Sequence, residues 1–179
     1  SDSKARQLLR SVGIETSNLY TAFVALAVRL LDDGGELVAI TPRSFCNGPY
    51  FKPFRELLLD TMSLKHIHIF HARNRAFKDD AVLQENVIFH AVKGRAAEQV
   101  IISSSTCAED ARIERRIPQL REVVNPNDSD RVIHIPTTEA EGNVALKLRG
   151  LPCTLTDLGI EVSTGRVVDF RAEEHIRAK

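Results

Sequence analysis

The stretch NLYTAFVALAVRLLDDGGELVAIT, residues 18–41, changes its period halfway along, and that change decides the fold class. Leu19, Phe23, Leu26 and Leu30 recur at helical spacing, Ser17 stands where an N-cap belongs, and Gly34-Gly35 follows the last turn. That pattern predicts a core-facing helix over 18–31. ELVAIT, 36–41, is a short apolar run with β-branched residues, bounded by the two glycines and Pro42, and reads as a buried strand. Working outward, Pro53 opens a second helix whose buried face is Phe54, Leu57 and Leu58. KHIHIF, 65–70, and NVIFHAV, 86–92, are the next two strands. Helix, strand, helix, strand is the rhythm of a doubly wound α/β sheet. The third strand arrives with no helix before it, which predicts an antiparallel neighbour. The expected class is therefore α/β, with two parallel strands, an antiparallel one and flanking helices.

Beyond Gly94 the character changes. VIISSS at 100–105 and RVIHIP at 131–136 read as strands, NPNDSD at 125–130 as a loop, and TEAEGNVALKLRG at 138–150 as a helix that tolerates Gly142 and Asn143. GIEVSTGRVVDF, 159–170, reads as a β-hairpin about Thr164-Gly165. The expected divisions are 1–97, a β-rich extension over 98–150, and 151–179.

Composition narrows the classes. A chain of 179 residues with 43% apolar and 27% charged content can bury one real core. FVALAVRLL, 23–31, is too short to span a bilayer and carries Arg29, and the N-terminal SDSKARQLLR is no secretory signal. Cys46, Cys107 and Cys153 are odd in number and far apart, the usage of reduced thiols in a cytoplasmic protein. The formal net charge is zero, so any case for nucleic acid must be local.

Such a local case exists. In open α/β sheets ligands bind beyond the carboxyl ends of the parallel strands. The first strand runs out into TPRSFCNGPYFK, 41–52, and the second into HARNRAFKDD, 71–80, so both loops open on one edge. From Arg43 to Lys78 there are seven Lys or Arg and only two acids, Glu56 and Asp60. Such an edge can hold phosphates, and an aromatic on it can stack on an unpaired base. A merely solvated loop fits the same composition. His66 and His68 share a strand face and could hold a metal, but no further ligand is near and Ile67 and Ile69 define the buried face; no metal is expected. Asp79 and Asp80 are adjacent and point apart. Cys46 has no His in its segment to activate it, and no G-x-G-x-x-G marks a dinucleotide site.

The segments NLYTAFVALAVRLLDDGGELVAITPRSFCNGPYFKPFRELLL, FHARNRAFKDDAVLQENVIFHAVKG and LTDLGIEVSTGRVVDFRAEEH, in this order, resemble the adenine-N6 DNA methyltransferases of the gamma class, in the type II restriction-modification branch. The resemblance covers nearly the whole chain and is weakest over 95–150. It implies the C-terminal half of a Rossmann-like methyltransferase sheet, its strands being the fifth, sixth and seventh of that fold. The family's Gly-containing loop for S-adenosylmethionine and its Asn-Pro-Pro-Tyr motif are not in this sequence: Gly48-Pro49-Tyr50 and Asn125-Pro126-Asn127 do not supply the latter. No catalytic residue is therefore expected in this chain, which is expected to be inactive alone and not to bind S-adenosylmethionine by itself. The cofactor belongs to the parent enzyme.

The resemblance further implies double-stranded DNA and an N-terminal half as partners. It assigns base stacking to Phe77, with Phe89 as runner-up, although Phe77 could equally plug its loop against the sheet and Phe89 could be core. Arg43, Ser44, Lys52, Arg73, Arg75 and Lys78 become candidates for phosphate contact. Ser163, Thr164, Gly165 and Arg166 mark the start of a target recognition region, of which Thr164 and Arg166 are DNA-binding candidates. A half-sheet would expose an apolar edge and invite self-association. The rival readings are a non-catalytic DNA-binding or assembly module, and a subunit that completes a split methyltransferase in trans.

Overall fold

The computed structural model describes residues 4–11, 14, 18–71, 85–94, 97–107 and 110–161. Two compact units are distinguished, residues 1–144 and 145–179.

The first unit is built on a five-stranded mixed sheet in the order β1-β3-β2-β4-β5, formed by β1 (Glu36–Pro42), β2 (Met62–Phe70), β3 (Asn86–Lys93), β4 (Ile101–Ser105) and β5 (Glu114–Arg116). β3 lies antiparallel between β1 and β2, so those two run the same way, as the missing helix before β3 predicts. β4 joins β2 in parallel, and β5 closes the row antiparallel to β4. The α/β class with an antiparallel strand beside two that run parallel is borne out.

Helices α1 (Lys4–Ser11), α2 (Leu19–Leu30), α3 (Lys52–Thr61), α4 (Leu120–Val123) and α5 (Glu139–Arg149) complete the elements, with 3-10 turns at Arg43–Cys46 and Pro49–Phe51. Strand alternation gives the sheet one inner face. Leu64, Ile67 and Ile69 of β2 lie there with Val87, Phe89 and Ala91 of β3 and Ile102 of β4. Val24, Ala25 and Val28 of α2 and Phe54 and Leu58 of α3 belong to the same core. Phe45 stands edge-on to Phe54 at 5.5 Å and tilted to Phe89 at 5.8 Å, which locks the turn after β1 into it. Val123, Ile133 and Ile135 reach that core from the extension.

Several expectations need correction. α2 was expected to bury Leu19, Phe23, Leu26 and Leu30; these are 70, 71, 41 and 75% exposed. The helix instead buries its small face of Thr21, Ala22, Val24, Ala25 and Val28. Both sides of α2 are apolar, and smaller side chains permit the closer approach to the sheet. Its N-cap is Asn18 rather than Ser17, with the Asn18 side chain accepting from the Tyr20 N–H at 3.2 Å. At the other end the Lys93 ammonium donates to the carbonyls of Val28 and Leu31, where a cation meets the negative end of the helix. Gly34 turns the chain into β1 at a φ of 81°, a conformation that favours glycine.

β1 was expected to be a buried strand. Its inner face, Leu37, Ala39 and Thr41, is half-buried or buried, but Val38 and Ile40 on the outer face are 67 and 51% exposed. No strand pairs with its other edge among the described residues. RVIHIP, 131–136, is not a sheet strand: it makes one isolated bridge, Val124 to Ile133, and covers the core with Ile133 and Ile135. The second neighbour of β4 comes instead from the charged stretch at 114–116.

α5 forms over the expected segment despite Gly142. Thr138 and Glu141 cap it reciprocally, the Thr138 hydroxyl accepting from the Glu141 N–H and the Glu141 carboxylate from the Thr138 N–H. Gly142 has a packing reason, since a Cβ there would stand 3.0 Å from the Arg116 guanidinium. In the second unit Thr154 and Asp157 make a similar reciprocal pair. The expected hairpin about Thr164-Gly165 lies outside the described residues. No described helix is long and apolar enough to cross a membrane.

Candidate nucleic-acid interface

β1 and β2 end on the same edge of the sheet, because Pro42 pairs with Asn86 and Ile69 with Val87 at the start of β3. The loops at 41–52 and 71–80 therefore leave from one edge, as the strand order required. The Arg43 N–H donates to the Glu85 carbonyl at 2.8 Å, which ties the turn after β1 to the residue that enters β3.

One buried side chain organises that edge. Arg55, in the first turns of α3, is 0% exposed. Its Nη1 donates to the carbonyls of Phe45 at 2.9 Å and Gly48 at 2.7 Å. Nε and Nη2 both donate to the carbonyl of Asp130, at 2.9 and 2.7 Å. The guanidinium thus joins the turn after β1 to the loop at 125–131. Burial lowers the Arg55 pKa, against which the nearby Asp130 carboxylate works, and the group remains a cation. In the sequence Arg55 was counted with the basic surface of this edge, but it lies beneath that surface. A buried arginine bound to carbonyls leaves no pattern in one sequence, since its partners are backbone atoms.

The other candidates divide clearly. Arg43 is 38% exposed along its side chain and faces Glu85 at 3.4 Å. Lys52 is equally exposed and faces Asp130 at 3.3 Å. Exposed pairs of this kind are weak, and a phosphate can take the carboxylate's place. Ser44 is exposed, its hydroxyl 3.2 Å from that of Tyr20. Phe89 is corrected as a stacking candidate: its ring is 1% exposed in the core. Phe77, Arg73, Arg75, Lys78, Thr164 and Arg166 lie outside the described residues. Tyr50, on the same edge, is 81% exposed; in the sequence it stands out only within Gly48-Pro49-Tyr50, which does not supply the Asn-Pro-Pro-Tyr motif.

Cys46 is no nucleophile. Burial pushes its thiol up to about 12, against the pull of Arg43 and Arg55. His66 and His68 share the outer sheet face as their spacing predicts, while Ile67 and Ile69 are buried. Both imidazoles meet the Ser103 hydroxyl, His66 Nε2 at 2.7 Å and His68 Nδ1 at 2.8 Å.

The carboxyl edge carries a cavity of about 190 Å³ lined by residues that include His71, Ser104, Asp110 and Arg112. A cavity of about 840 Å³ opens at the opposite edge, beside the start of β2, among Asp60, Met62, Glu98 and Arg131. Neither suits S-adenosylmethionine: the first is too small, and the second lies away from the edge where such sheets bind ligands.

The sheet, with β3 antiparallel between the parallel strands β1 and β2 and no strand paired to the outer edge of β1 among the described residues, is of the mixed α/β type. Residues 3–77 match the model of the Eco57I restriction-modification methylase family. The chain is 56% identical over 97% of its length to the type II methyltransferase M.PstI of Providencia stuartii. It is 53% identical over 99% of its length to the type II methyltransferase M.BsuBI of Bacillus subtilis. It spans about a third of the length of these relatives, 34% and 35%. A modification subunit assigned to a type I restriction enzyme from Vibrio vulnificus shares the fold over 76% of this chain and 34% of its own, with a TM-score of 0.50 at 12% identity. The resemblance to restriction-modification methyltransferases carried by the sequence motifs is thereby borne out.

Proposed function

We propose that the chain is the C-terminal part of an adenine-N6 DNA methyltransferase that takes its methyl group from S-adenosylmethionine and acts on double-stranded DNA in a restriction-modification setting, in the cytoplasm. The observation that carries this reading is the open flank of the sheet. Among the described residues β1 has an unpaired edge with Val38 and Ile40 exposed, and α2 turns Leu19, Phe23, Leu26 and Leu30 outward, in a chain that spans only about a third of the length of its relatives. Apolar surface of that extent is what a monomeric protein covers. The N-terminal half, carrying the cofactor loop and the catalytic motif, is the occupant this reading supplies.

In that assembly this chain contributes sheet strands, one wall of the base pocket and contacts to the DNA backbone. Phe77 stacks on the extruded adenine, recovering part of the few kcal/mol that base flipping costs. Arg43, Ser44, Lys52, Arg73, Arg75 and Lys78 meet phosphates, and Thr164 and Arg166 lie at the entrance to the target recognition region. The test is methyl transfer from labelled S-adenosylmethionine to a duplex carrying the recognition site. This chain alone should be inactive, and adding the N-terminal half should restore transfer to adenine. Transfer by the isolated chain, or none after reconstitution, overturns the reading. Within the reconstituted enzyme, Phe77→Ala should lower methylation far more than thermal stability. Substituting Arg73 and Arg75 together should flatten the salt dependence of DNA binding by about two ions, roughly one per lost phosphate contact.

A further inference from the structure

We propose that Asn47-Gly48-Pro49-Tyr50 forms a preformed wedge against the DNA substrate, with the Tyr50 ring stacking on an exposed base; this rests on the reading of the chain as part of a DNA methyltransferase. Tyr50 is 81% exposed, more than any residue of the α2 stripe. Its neighbour Phe51 turns the other way and packs against Tyr20, with ring centroids 5.9 Å apart. The chain between them is held from both sides. The Gly48 N–H donates to the Ser44 carbonyl at 2.9 Å, the Phe51 N–H donates to the Gly48 carbonyl at 3.1 Å, and Arg55 binds that same carbonyl from beneath at 2.7 Å. Gly48 is packed so closely that a Cβ there would lie 2.7 Å from the Ser44 carbonyl oxygen and 2.8 Å from the Phe51 ring. Pro49 fixes its own φ at the start of the next turn. An aromatic side chain is thereby presented to solvent on backbone that has little freedom left to lose on binding.

Its surroundings point to nucleic acid. Tyr50 stands on the carboxyl edge between Arg43 and Lys52 in sequence, each held in an exposed pair, with Glu85 and Asp130, whose carboxylate a phosphate can replace. The Arg43 N–H donates to the Glu85 carbonyl, which holds this turn against the start of β3. Cations flanking one exposed ring form the arrangement that follows a phosphate backbone and stacks a base. The surfaces left for the rest of the protein are of another kind: a row of Leu19, Phe23, Leu26 and Leu30, and the Val38 and Ile40 face of β1. Tyr50 is therefore assigned to DNA and not to the interface with the N-terminal half.

The test uses the full-length protein with Tyr50→Ala, Tyr50→Phe and Tyr50→Trp. Duplex affinity, the KM and kcat of methyl transfer, and the thermal midpoint are measured on each. Tyr50→Ala should weaken duplex binding about 5- to 100-fold, the range of one lost base stack. The loss should fall on the KM for DNA, with the thermal midpoint unchanged, and Phe or Trp should restore binding. Unchanged DNA affinity in Tyr50→Ala overturns the wedge. A lowered thermal midpoint with intact DNA affinity also overturns it, by placing Tyr50 in a contact within the protein. If the unsubstituted protein neither binds nor methylates DNA, the functional reading itself falls, a result separate from any effect of Tyr50.

Discussion

At the scale of single residues, Arg55 shows how one side chain shapes a working edge. Four of its hydrogen bonds run to the backbone carbonyls of Phe45, Gly48 and Asp130. A carbonyl left unpaired in a buried place costs about 1–3 kcal/mol. Replacing Arg55 by Met keeps the volume and takes the donor from the buried Phe45 carbonyl and both donors from that of Asp130, while Gly48 keeps the Phe51 N–H, so the chain should lose roughly 2 kcal/mol, read as a lower urea midpoint. Arg55→Lys keeps the charge but lacks the fork that serves Asp130 twice, and should fall between the two. A midpoint for Arg55→Met within error of the unsubstituted chain would mean that the loop carbonyls find other donors. The sequence could show that Arg55 follows Pro53 and Phe54 in a helix, but not that this helix turns it inward. The cationic character of Arg43 and Lys52 was legible; their pairing with Glu85 and Asp130 was not, since those partners are 42 and 78 positions away.

Among the elements, β2 and β4 carry a polar pair of layers that periodicity announced only in part. Alternation placed His66 and His68 on one face, and the parallel pairing with β4 sets Ser103 opposite His68. Ser105 donates its hydroxyl proton to the Cys107 carbonyl at 2.9 Å, so it accepts from His68 Nε2 at 3.2 Å. Neutral His68 then accepts at Nδ1 from the Ser103 hydroxyl, and Ser103 accepts in turn from His66 Nε2–H. A second proton on His68 would reverse one of these bonds. Burial, then Arg115 and His90, lower the His66 pKa; burial, then His66 and His71, lower that of His68. Groups with depressed basicity bind more protons when unfolded, so their contribution to stability is complete above the unfolded value near 6.5 and is lost as pH falls toward the folded values. The urea midpoint should therefore drop between pH 7.5 and 5.5, and His66→Gln with His68→Gln should flatten that part of the profile. An equal slope in the double variant would remove the two histidines from the account. The sheet thus used the alternation in β2 as read, whereas α2, apolar on both sides, gave periodicity no way to choose which side the sheet would take.

For the molecule as a whole, the same ambiguity has a consequence in solution. The helix face that the pattern marked as core is exposed here, and the strand that the pattern marked as buried has, among the described residues, an unpaired edge and an exposed outer face. On the proposed function these are buried elements of a larger domain, and both assignments then make sense: the apolar pattern of a sequence records the assembly in which it folds, and the proposal makes this chain one side of it. An unprotected edge with β-branched residues is a template for pairing with another strand. The isolated chain should therefore self-associate at concentrations where the full-length protein stays monodisperse. Placing a charge on that edge, as natural edge strands do, should separate the two uses of the surface. Val38→Lys with Phe23→Glu should shift the isolated chain toward monomer in sedimentation without lowering its urea midpoint, because both positions are already 67 and 71% exposed. The same pair of substitutions should abolish rescue of methyl transfer by the N-terminal half, since each would bury a charge without a partner. If the isolated chain is monomeric from the start, or the substituted chain still restores activity, then the flank of β1 and α2 is not where the proposed N-terminal half docks.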